Sequence, residues 1–181
     1  EISNTIPKAA RANPFEPLNG ILGSQGERWA ALNSKVPHSD AERLIAATDA
    51  AVDPYRERMA ACGVTMSFLY IAISQNIFSY EPVLRWFDEW LPVHRHVPEP
   101  DFLSGLEEPA PNHGGRALVD EIRSKIVEVL AEFGAASNQI GKTYPMLANL
   151  NPDSRSVLRA LKQELDPEGL INPGALGDFS A

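Results

Sequence analysis

The rest of the sequence is organised around one stretch near its end, Leu165-Asp166-Pro167-Glu168-Gly169-Leu170-Ile171-Asn172-Pro173-Gly174-Ala175-Leu176-Gly177. Asp166 precedes a proline and therefore leaves the helical region, and Gly169 can adopt a positive φ. The residues Asn172-Pro173-Gly174 then reverse the chain a second time. No helix or strand continues through such a segment. Its three large apolar residues, Leu165, Leu170 and Ile171, predict a tail that is pinned against a surface.

This stretch resembles the C-terminal signature of flavin-linked oxidases and dehydrogenases of the vanillyl-alcohol oxidase/glycolate oxidase superfamily. Chains of that superfamily typically end in a helix followed by Leu-Asp-Pro-x-Gly-(Leu/Ile)-(Leu/Ile)-Asn-Pro-Gly, and residues 165–174 match this pattern residue for residue. The resemblance implies the substrate-binding cap domain of an FAD-dependent oxidoreductase. Such enzymes transfer a hydride from a small hydroxy acid or alcohol to the flavin. An ordinary proline-rich tail is the alternative interpretation of these residues.

The composition limits the size of the protein and the class of its partners. A length of 181 residues suits one domain with a real core, and 44% hydrophobic with 22% charged residues is ordinary for a globular chain. The net charge of −8 opposes binding to nucleic acid, whose affinity for proteins depends on Lys and Arg contacts to phosphate. We therefore expect no nucleic-acid partner.

The cysteine content and the apolar runs predict a cytoplasmic location. Cys62 is the one cysteine, so an intrachain disulfide is excluded and a reducing compartment fits best. The longest apolar-leaning stretch, residues 64–73, is too short to span a membrane, and no signal peptide is recognisable. The chain begins at Glu1 without a methionine, so a fragment or a processed product is expected.

The distribution of prolines, glycines and periodic segments divides the chain into an arm and a domain. Residues 1–27 carry three prolines and three glycines without a sustained period, which predicts an extended linker arm before a domain at residues 28–181. The periodic segments then predict a strand at 28–36, helical residues from 41 to 62, strands at 64–74 and 76–87, a long irregular excursion at 90–115, a helix at 115–133, a short strand at 135–138 and a last helix that begins after Asn151. Within 41–62, Asp53-Pro54 predicts either a kink or a second helix with Asp53 as its cap and Pro54 at its first position.

Several details accompany these segments. Ser39-Asp40-Ala41-Glu42 has the spacing of a capping box, and Pro82 predicts an edge position or a bulge in its strand. Both faces of the strand at 64–74 are apolar, which predicts that both are covered. The last helix is expected to bury its apolar stripe, Val157, Leu158, Leu161 and Leu165.

The order β-α-β-β-α-β plus a terminal helix predicts an α+β fold of the ferredoxin-like, split βαβ type, with an antiparallel sheet and helices on one face. The order agrees with the cap domain of the flavin oxidase superfamily. In that superfamily a larger N-terminal domain holds most of the FAD, and nothing in residues 1–27 corresponds to it. The resemblance therefore implies an N-terminal FAD-binding domain as the partner of this chain, together with a small-molecule substrate.

The turn after the strand at 135–138 is the second place where the resemblance applies. Many superfamily members carry Gly-Glu-His-Gly-Ile-Gly there, near flavin and substrate, but residues 137–139 of this chain are Ser, Asn and Gln. An amide cannot accept a proton at neutral pH, so a general base must come from elsewhere. The resemblance implies cofactor contacts for Asn138, Gln139 and Lys142, and for Asn172 in the terminal turn.

For acid-base chemistry we select Tyr144, which follows the turn expected to face the flavin, and His38, which ends a strand just before a helix. We expect core packing for Tyr70. His94, His96 and His113 are interpreted as solvated loop histidines, because no carboxylate accompanies them at a metal-ligand spacing, and no metal site is predicted.

A rival interpretation belongs to a different class. A stand-alone ferredoxin-like module could bind a small ligand in the excursion at 90–115 without catalysis and dimerise through its sheet. It would need no upstream domain, but it gives no reason for the turn at Asn172-Pro173-Gly174. The sequence leaves open the substrate, the attachment of FAD, the electron acceptor and a homo-oligomeric state.

Overall fold

The computed structural model describes residues 4–12, 18–138, 141–144 and 146–177, with the backbone alone at residues 6, 7 and 10. The helices are α1 (Thr5–Ala12), α2 (Ala41–Val52), α3 (Arg56–Cys62), α4 (Pro92–His96), α5 (Pro100–Ser104), α6 (His113–Glu132), α7 (Met146–Asn149) and α8 (Pro152–Leu165). The strands are β1 (Arg28–Ala31), β2 (Ser34–Pro37), β3 (Thr65–Ile73) and β4 (Ile77–Trp86). Short 3-10 turns occur at Leu18–Ile21, His38–Asp40 and Asp53–Tyr55.

The sheet is built around β4, which pairs with β1, β2 and β3. β2 runs antiparallel to β4, with Ser34 opposite Tyr80 and Val36 opposite Phe78. Lys35 also forms an antiparallel bridge to Ala136, so the segment at 135–138 lies beyond β2. The spatial order is therefore the fourth predicted strand, the first, the third and the second. This is the ferredoxin-like order, and the predicted α+β fold with its terminal helix is confirmed.

The predicted first strand is divided into β1 and β2 because Pro82 of β4 lies opposite its centre. The Leu32 amide donates to the Pro82 carbonyl at 2.9 Å, which keeps β1 and β2 in one register against β4. Pro82 has no N–H to return this bond, so the ladder weakens between β1 and β2. The prediction that Pro82 lies at an edge or in a bulge is wrong, since it is buried inside a strand that has neighbours on both sides.

The chain divides into two compact units. Unit 1 comprises Glu1–Ala30, Arg58–Met66 and Leu84–Val119, and unit 2 comprises Ala31–Glu57, Ser67–Val83 and Asp120–Ala181. The buried core of unit 1 includes Leu22, Met59, Val64, Leu84, Trp86, Trp90, Leu118 and Val119. The buried core of unit 2 includes Leu32, Val36, Leu44, Val52, Tyr80, Ile122, Ile126, Val129, Leu130 and Leu147.

Unit 1 is organised around the buried carboxylate of Asp88. Arg116 donates to it through Nε and Nη2, each at 2.9 Å, and Arg28 donates through Nη1 at 2.7 Å. The amide of Asn112 adds a bond of 2.8 Å. Asp88 thereby ties the end of β4 to the start of α6. The predicted irregular excursion at 90–115 is thus anchored at both ends, and it contains the short helices α4 and α5.

In unit 2, α2 packs on the face of the sheet that carries Tyr80. The buried residues of α2 lie one turn apart at Leu44, Thr48 and Val52, as the helical period requires. The Thr48 side chain lies beside the Tyr80 phenol. The 3-10 turn at Asp53–Tyr55 then separates α2 from α3, so the chain forms a second helix here, which begins at Arg56 after the turn.

The capping box predicted at residues 39–42 is wrong. The 3-10 turn His38–Asp40 precedes α2, and Asp40 becomes its N-cap without a side-chain capping bond. Because Ser39 already lies inside this turn, its hydroxyl does not meet the free amides of the helix. Asp40 instead accepts a bond of 2.9 Å from Arg43. The predicted arm at 1–27 also contains secondary structure, since the alanines at 9, 10 and 12 are strong helix formers and lie in α1.

The prediction that both faces of β3 are covered is wrong, because side chains on both of its faces are exposed. Among the described residues, β3 pairs with β4 and forms an edge of the sheet. Its exposed side chains include Leu69, Tyr70, Ile71 and Ile73. Tyr70 is 49% exposed and so does not belong to the core as predicted. It stacks on Tyr80, with ring centroids 5.6 Å apart.

The start of α8 agrees with its prediction, but its packing does not. Asn151 caps the helix by accepting a bond of 2.8 Å from the Ser154 amide, and Pro152 occupies the first position. The apolar stripe is open, with Val157 61%, Leu161 52% and Leu165 75% exposed. The prediction that this stripe is buried depends only on the spacing of its apolar residues. Such spacing indicates an amphipathic helix, but it does not show that another element covers the apolar face.

No helix within the described residues combines the length and the apolar content that crossing a membrane requires.

Candidate functional site

The terminal stretch is held in shape by Asp166 and then bonded to the segment after the strand at 135–138. The Asp166 carboxylate accepts the amides of Leu170 and Ile171 at 2.8 and 3.0 Å, and Lys162 pairs with it from the preceding turn of α8. These contacts, the Lys162 bond foremost, lower the pKa of the Asp166 carboxyl. Leu170 and Ile171 are exposed, so the prediction that apolar residues pin the tail is wrong.

Backbone bonds pin the tail instead. The Leu176 amide donates to the Gly141 carbonyl at 2.9 Å, and the Leu176 carbonyl accepts from the Leu147 amide at 2.9 Å. Asn172 and Leu176 adopt positive φ values of 46° and 68°, which lets the chain turn back twice within a few residues. Leu176, two residues after the stretch 165–174, is thereby bonded to Gly141 in the turn that follows the strand segment at 135–138.

Tyr144 reaches the first strand of the fold. Its phenolic oxygen accepts a bond of 2.6 Å from the Asn33 amide. Two residues further on, Lys35 exchanges both backbone bonds with Ala136, at 2.7 and 3.0 Å. Continuing that ladder would pair Asn33 with Asn138, whose amide lies 3.5 Å from Asn33 Oδ1. The Tyr144 hydroxyl thus takes the place of a strand carbonyl.

Asn33, Lys35 and Glu81 form a polar cluster on the sheet, which we call the Asn33 cluster. Asn33 is 94% buried, and its side chain donates to Glu81 Oε2 at 3.2 Å while its Oδ1 accepts from Lys35 Nζ. Burial lowers the pKa of the Lys35 amine below its ordinary value of 10.5, and the negative charge of Glu81 offsets part of this effect. The cluster therefore contains an amine that releases its proton more readily than a surface lysine.

The Asn33 cluster lies on the sheet face opposite the aromatic side chains. Lys35 is paired with Ser79, whereas Phe78 and Tyr80 point to the other face and stack with Phe68 and Tyr70. Because side chains alternate along a strand, the odd-numbered residues of β3 share the face of Lys35. That face consequently presents exposed apolar residues beside the polar cluster: Leu69, Ile71, Ile73 and Ile77.

His38 and Tyr144, the two predicted acid-base residues, are not brought together. His38 is exposed, and its ring lies 6.4 Å from the ring of Phe78 at the far end of β2. The Tyr144 hydroxyl binds Asn33, five residues away along an extended chain, a distance of roughly 16 Å. His38 and Tyr144 therefore cannot act on the same bond.

The predicted cofactor residues are distributed as follows. Asn138 is exposed next to Asn33 and so belongs to the surroundings of the cluster. Lys142 is exposed and its aliphatic chain lies against Gly174 of the terminal turn. Asn172 is exposed in the same turn, where its carbonyl accepts from the Ala175 amide at 3.0 Å. Gln139 lies outside the described residues.

The sequence analysis missed all three members of the Asn33 cluster. The sequence predicts a strand at 28–36 but assigns no role to Asn33 or Lys35 within it. The sequence does contain a signal for this cluster. Asn33 and Lys35 are polar residues on one face of a predicted strand, and Glu81 is a carboxylate in a strand of the predicted hairpin. The signal identifies a site only once the register that places Asn33 opposite Glu81 is known.

No group of three or more His, Cys, Asp or Glu side chains in the described part of the chain could hold a metal ion. Neither protein-family models, nor curated proteins, nor solved structures give a match to this chain.

Proposed function

We propose that this chain is the substrate-binding cap domain of an FAD-dependent oxidoreductase that transfers a hydride from a small hydroxy acid or alcohol to flavin. The observation that carries the proposal is the pair of backbone bonds from Leu176 to Gly141 and Leu147. They join the segment that follows the superfamily-like stretch 165–174 to the region of the turn at 137–142, the place where superfamily members meet flavin and substrate, although residues 137–139 depart from their motif. An ordinary proline-rich tail would not explain why Leu176 is bonded to Gly141 and Leu147.

The residues on the Lys35 face suit a flavin and a small organic substrate chemically. Leu69, Ile71 and Ile73 offer exposed apolar side chains to a ring system. Lys35 and Asn138 offer hydrogen-bond donors to carbonyl or carboxylate oxygens at the edge of such a ring. FAD itself would supply the hydride acceptor, and most of its binding would come from another domain. This chain would contribute the wall that excludes water and orients the substrate.

Lys35 is our candidate for the group that accepts the substrate hydroxyl proton. A base must be unprotonated before the reaction, and burial shifts the Lys35 amine in that direction. Asn33 fixes the position of the amine, because its Oδ1 binds Nζ while its own side-chain amide is held by Glu81. Tyr144, whose oxygen is engaged by the Asn33 amide, becomes a positioning residue in this proposal and not the base.

The partner that the proposal requires is an FAD-binding domain. The exposed stripe of α8, Val157, Leu161 and Leu165, supports the presence of a further covering surface, since contiguous apolar patches on soluble domains usually mark interfaces. Leu170 and Ile171 extend the apolar surface beyond the end of the helix.

The decisive experiment is the visible absorption spectrum of the full-length protein encoded by the reading frame that contains this chain. A flavin band that bleaches anaerobically with one member of a panel of hydroxy acids and alcohols would support the proposal and identify the substrate class. Lys35→Met should then slow bleaching by at least about a hundredfold, the usual contribution of general-base catalysis. Lys8→Met, at an exposed position of α1, is the matched control.

A protein that stays colourless after FAD is added would overturn the proposal. The stand-alone ligand-binding module would then be the better interpretation. Its predicted ligand region at 90–115 is largely exposed, and it is tied internally by the Trp90 amide, which donates to Glu108 Oε1 at 3.0 Å.

A further inference from the structure

A cavity of about 270 Å³ lies within unit 2, between the C-terminal end of α6, the strand segment at 135–137 and α7. Val127 and Leu130 line it from α6, and Met146 and Leu150 line it from the α7 side. None of Asn33, Lys35 and Glu81 lines it, but the cavity adjoins the Asn33 cluster through Tyr144, which is one of its lining residues.

The sequence explains why space remains at this position. The run Gly134-Ala135-Ala136-Ser137 places four small residues along one wall, and Ala131 and Gly141 leave further room. Gly134 ends α6 with φ 58°, which turns the chain sharply away from the helix before a larger side chain could close the gap.

Hydrogen bonds hold the segments that form the walls of the cavity. Arg155 Nη2 donates to the carbonyls of Ala148 and Leu150, each at 3.0 Å. The Leu147 amide is bonded to Leu176, and Ala135 is bonded to the Leu130 carbonyl at 3.0 Å. Each wall therefore has its own support, independent of anything that occupies the cavity.

The lining is neutral. Among the described residues that line it there is no Lys, Arg, His, Asp or Glu, and their polar side chains are those of Ser137, Tyr144 and Asn149. A charged ligand would lose its hydration without gaining an opposite charge, which is costly in an apolar site. A neutral ligand with one hydroxyl could bind an amide or hydroxyl of the lining while burying the remainder of its surface.

We infer that this cavity binds a small, neutral, mostly hydrocarbon alcohol with a single ring. An apolar cavity of about 150 Å³ accommodates benzene, so a volume of about 270 Å³ suits a substituted ring. Pockets for drug-sized ligands begin at roughly 300 Å³, which sets the upper limit. The inference does not depend on flavin chemistry and holds for either class of function.

The test titrates the isotope-labelled chain with cyclohexanol and, separately, with cyclohexanecarboxylate, which has the same ring but a negative charge. We expect saturable shifts for the amides of Ala131 and Ala135 and for the Met146 methyl with cyclohexanol only. The carboxylate should leave these signals in place at the same concentrations. No saturable shift with cyclohexanol, or equally tight binding of the carboxylate, would overturn the inference.

A filling variant checks that the shifts report the cavity. Ala131→Leu places three more carbons into the lining and should weaken cyclohexanol binding at least about tenfold. Ala117→Leu makes the same change at an exposed position of the same helix and should bind as the wild type does. Equal binding by both variants would assign the shifts to another surface. If Ala131→Leu fails to fold, the comparison of cyclohexanol with the carboxylate still decides.

Discussion

The phenolic oxygen of Tyr144 accepts a hydrogen bond of 2.6 Å from the amide of Asn33, which lies 111 residues earlier in the chain. The bond stands where the strand ladder between Lys35 and Ala136 would otherwise continue. A side chain from a loop thus completes the hydrogen bonding of a buried residue that lies between β1 and β2. The same contact positions Asn33, and through Asn33 it positions the Lys35 amine.

Tyr144→Phe should lower the free energy of unfolding by about 1–3 kcal/mol, because it leaves the buried Asn33 amide without its acceptor. Urea unfolding followed by circular dichroism measures the change. Tyr70→Phe removes the same hydroxyl from a ring that is 49% exposed, and it should change the free energy by less than about 0.5 kcal/mol. Equal effects from the two variants would mean that the Asn33 contact does not stabilise the fold.

Asp88→Asn should be the most damaging polar substitution in unit 1. It removes the charge that Arg28 and Arg116 share, and it leaves a buried amide facing donors from Asn112 and both arginines. Breaking a buried ion pair from one side costs about 3–5 kcal/mol. The matched control is Asp101→Asn in the first turn of α5, where the side chain is exposed and the expected cost is below about 0.5 kcal/mol.

The effect of Asp88→Asn should depend on pH. Burial alone would raise the pKa of the Asp88 carboxyl, but hydrogen bonds from Arg116, the Asn112 amide and Trp86 hold it well below its ordinary value of 3.8. A carboxyl with a depressed folded-state pKa stabilises the fold fully above its unfolded pKa, and this stability is lost as pH falls through the folded value. The gap between wild type and variant should therefore be constant above about pH 5 and narrow below about pH 4. A gap that widens on acidification would contradict this assignment.

Gly26→Ala should destabilise unit 1 for two reasons. Gly26 has φ +83°, and an added Cβ would lie 3.2 Å from the Trp90 ring. Left-handed backbone costs a non-glycine residue about 1–2 kcal/mol before any clash. Gly20→Ala is the control, because a Cβ there meets no atom within 4 Å. In thermal unfolding experiments, Gly26→Ala should have a lower Tm than the wild type and Gly20→Ala should not. The tryptophan fluorescence of Gly26→Ala should also change, because the added Cβ displaces Trp90.

Leu118→Ala and Leu165→Ala test where the core ends. Leu118 is 1% exposed in α6, so its truncation should cost about 2–5 kcal/mol. Leu165 is 75% exposed at the end of α8, and its truncation in this chain should cost less than about 0.5 kcal/mol. In a full-length protein with the proposed FAD-binding domain, Leu165→Ala should become destabilising. Equal costs for Leu165→Ala in both proteins would argue against α8 as the docking surface.

The order of elements could be predicted because it depends on local signals. These signals are turn residues, helix caps such as Asn151 and the spacing of apolar residues, and each involves only a few neighbouring positions. They predict the strands and long helices close to their observed bounds. Exposure could not be predicted in this way. The stripes of β3 and α8 are apolar whether or not another element covers them, and only the assembled fold reveals that they are open.

The candidate site depended even more on long-range structure. Asn33, Lys35, Glu81 and Tyr144 are separated by up to 111 residues and meet only through strand register and a loop. The resemblance directed attention to Tyr144 and Asn138, which do lie beside Asn33. It could not identify Lys35, because no motif marks a lysine that becomes partly buried when two strands pair.

Glu81→Gln should lower the pKa of the Lys35 amine further. The Glu81 charge currently raises that pKa against the larger effect of burial, so neutralising it leaves burial unopposed. The pH dependence of the Lys35 Cε–Hε signals measures the pKa directly, and Glu42→Gln, at an exposed position of α2, should leave it unchanged. The pKa of the Lys35 amine in the folded protein lies below its unfolded value of about 10.4. At pH values between these two pKa values, the unfolded chain therefore binds one more proton than the folded protein does. Stability should therefore rise with pH across that interval, and the interval should widen in Glu81→Gln. An unchanged or raised pKa would show that the Glu81 charge does not raise the pKa of the Lys35 amine in the wild-type protein.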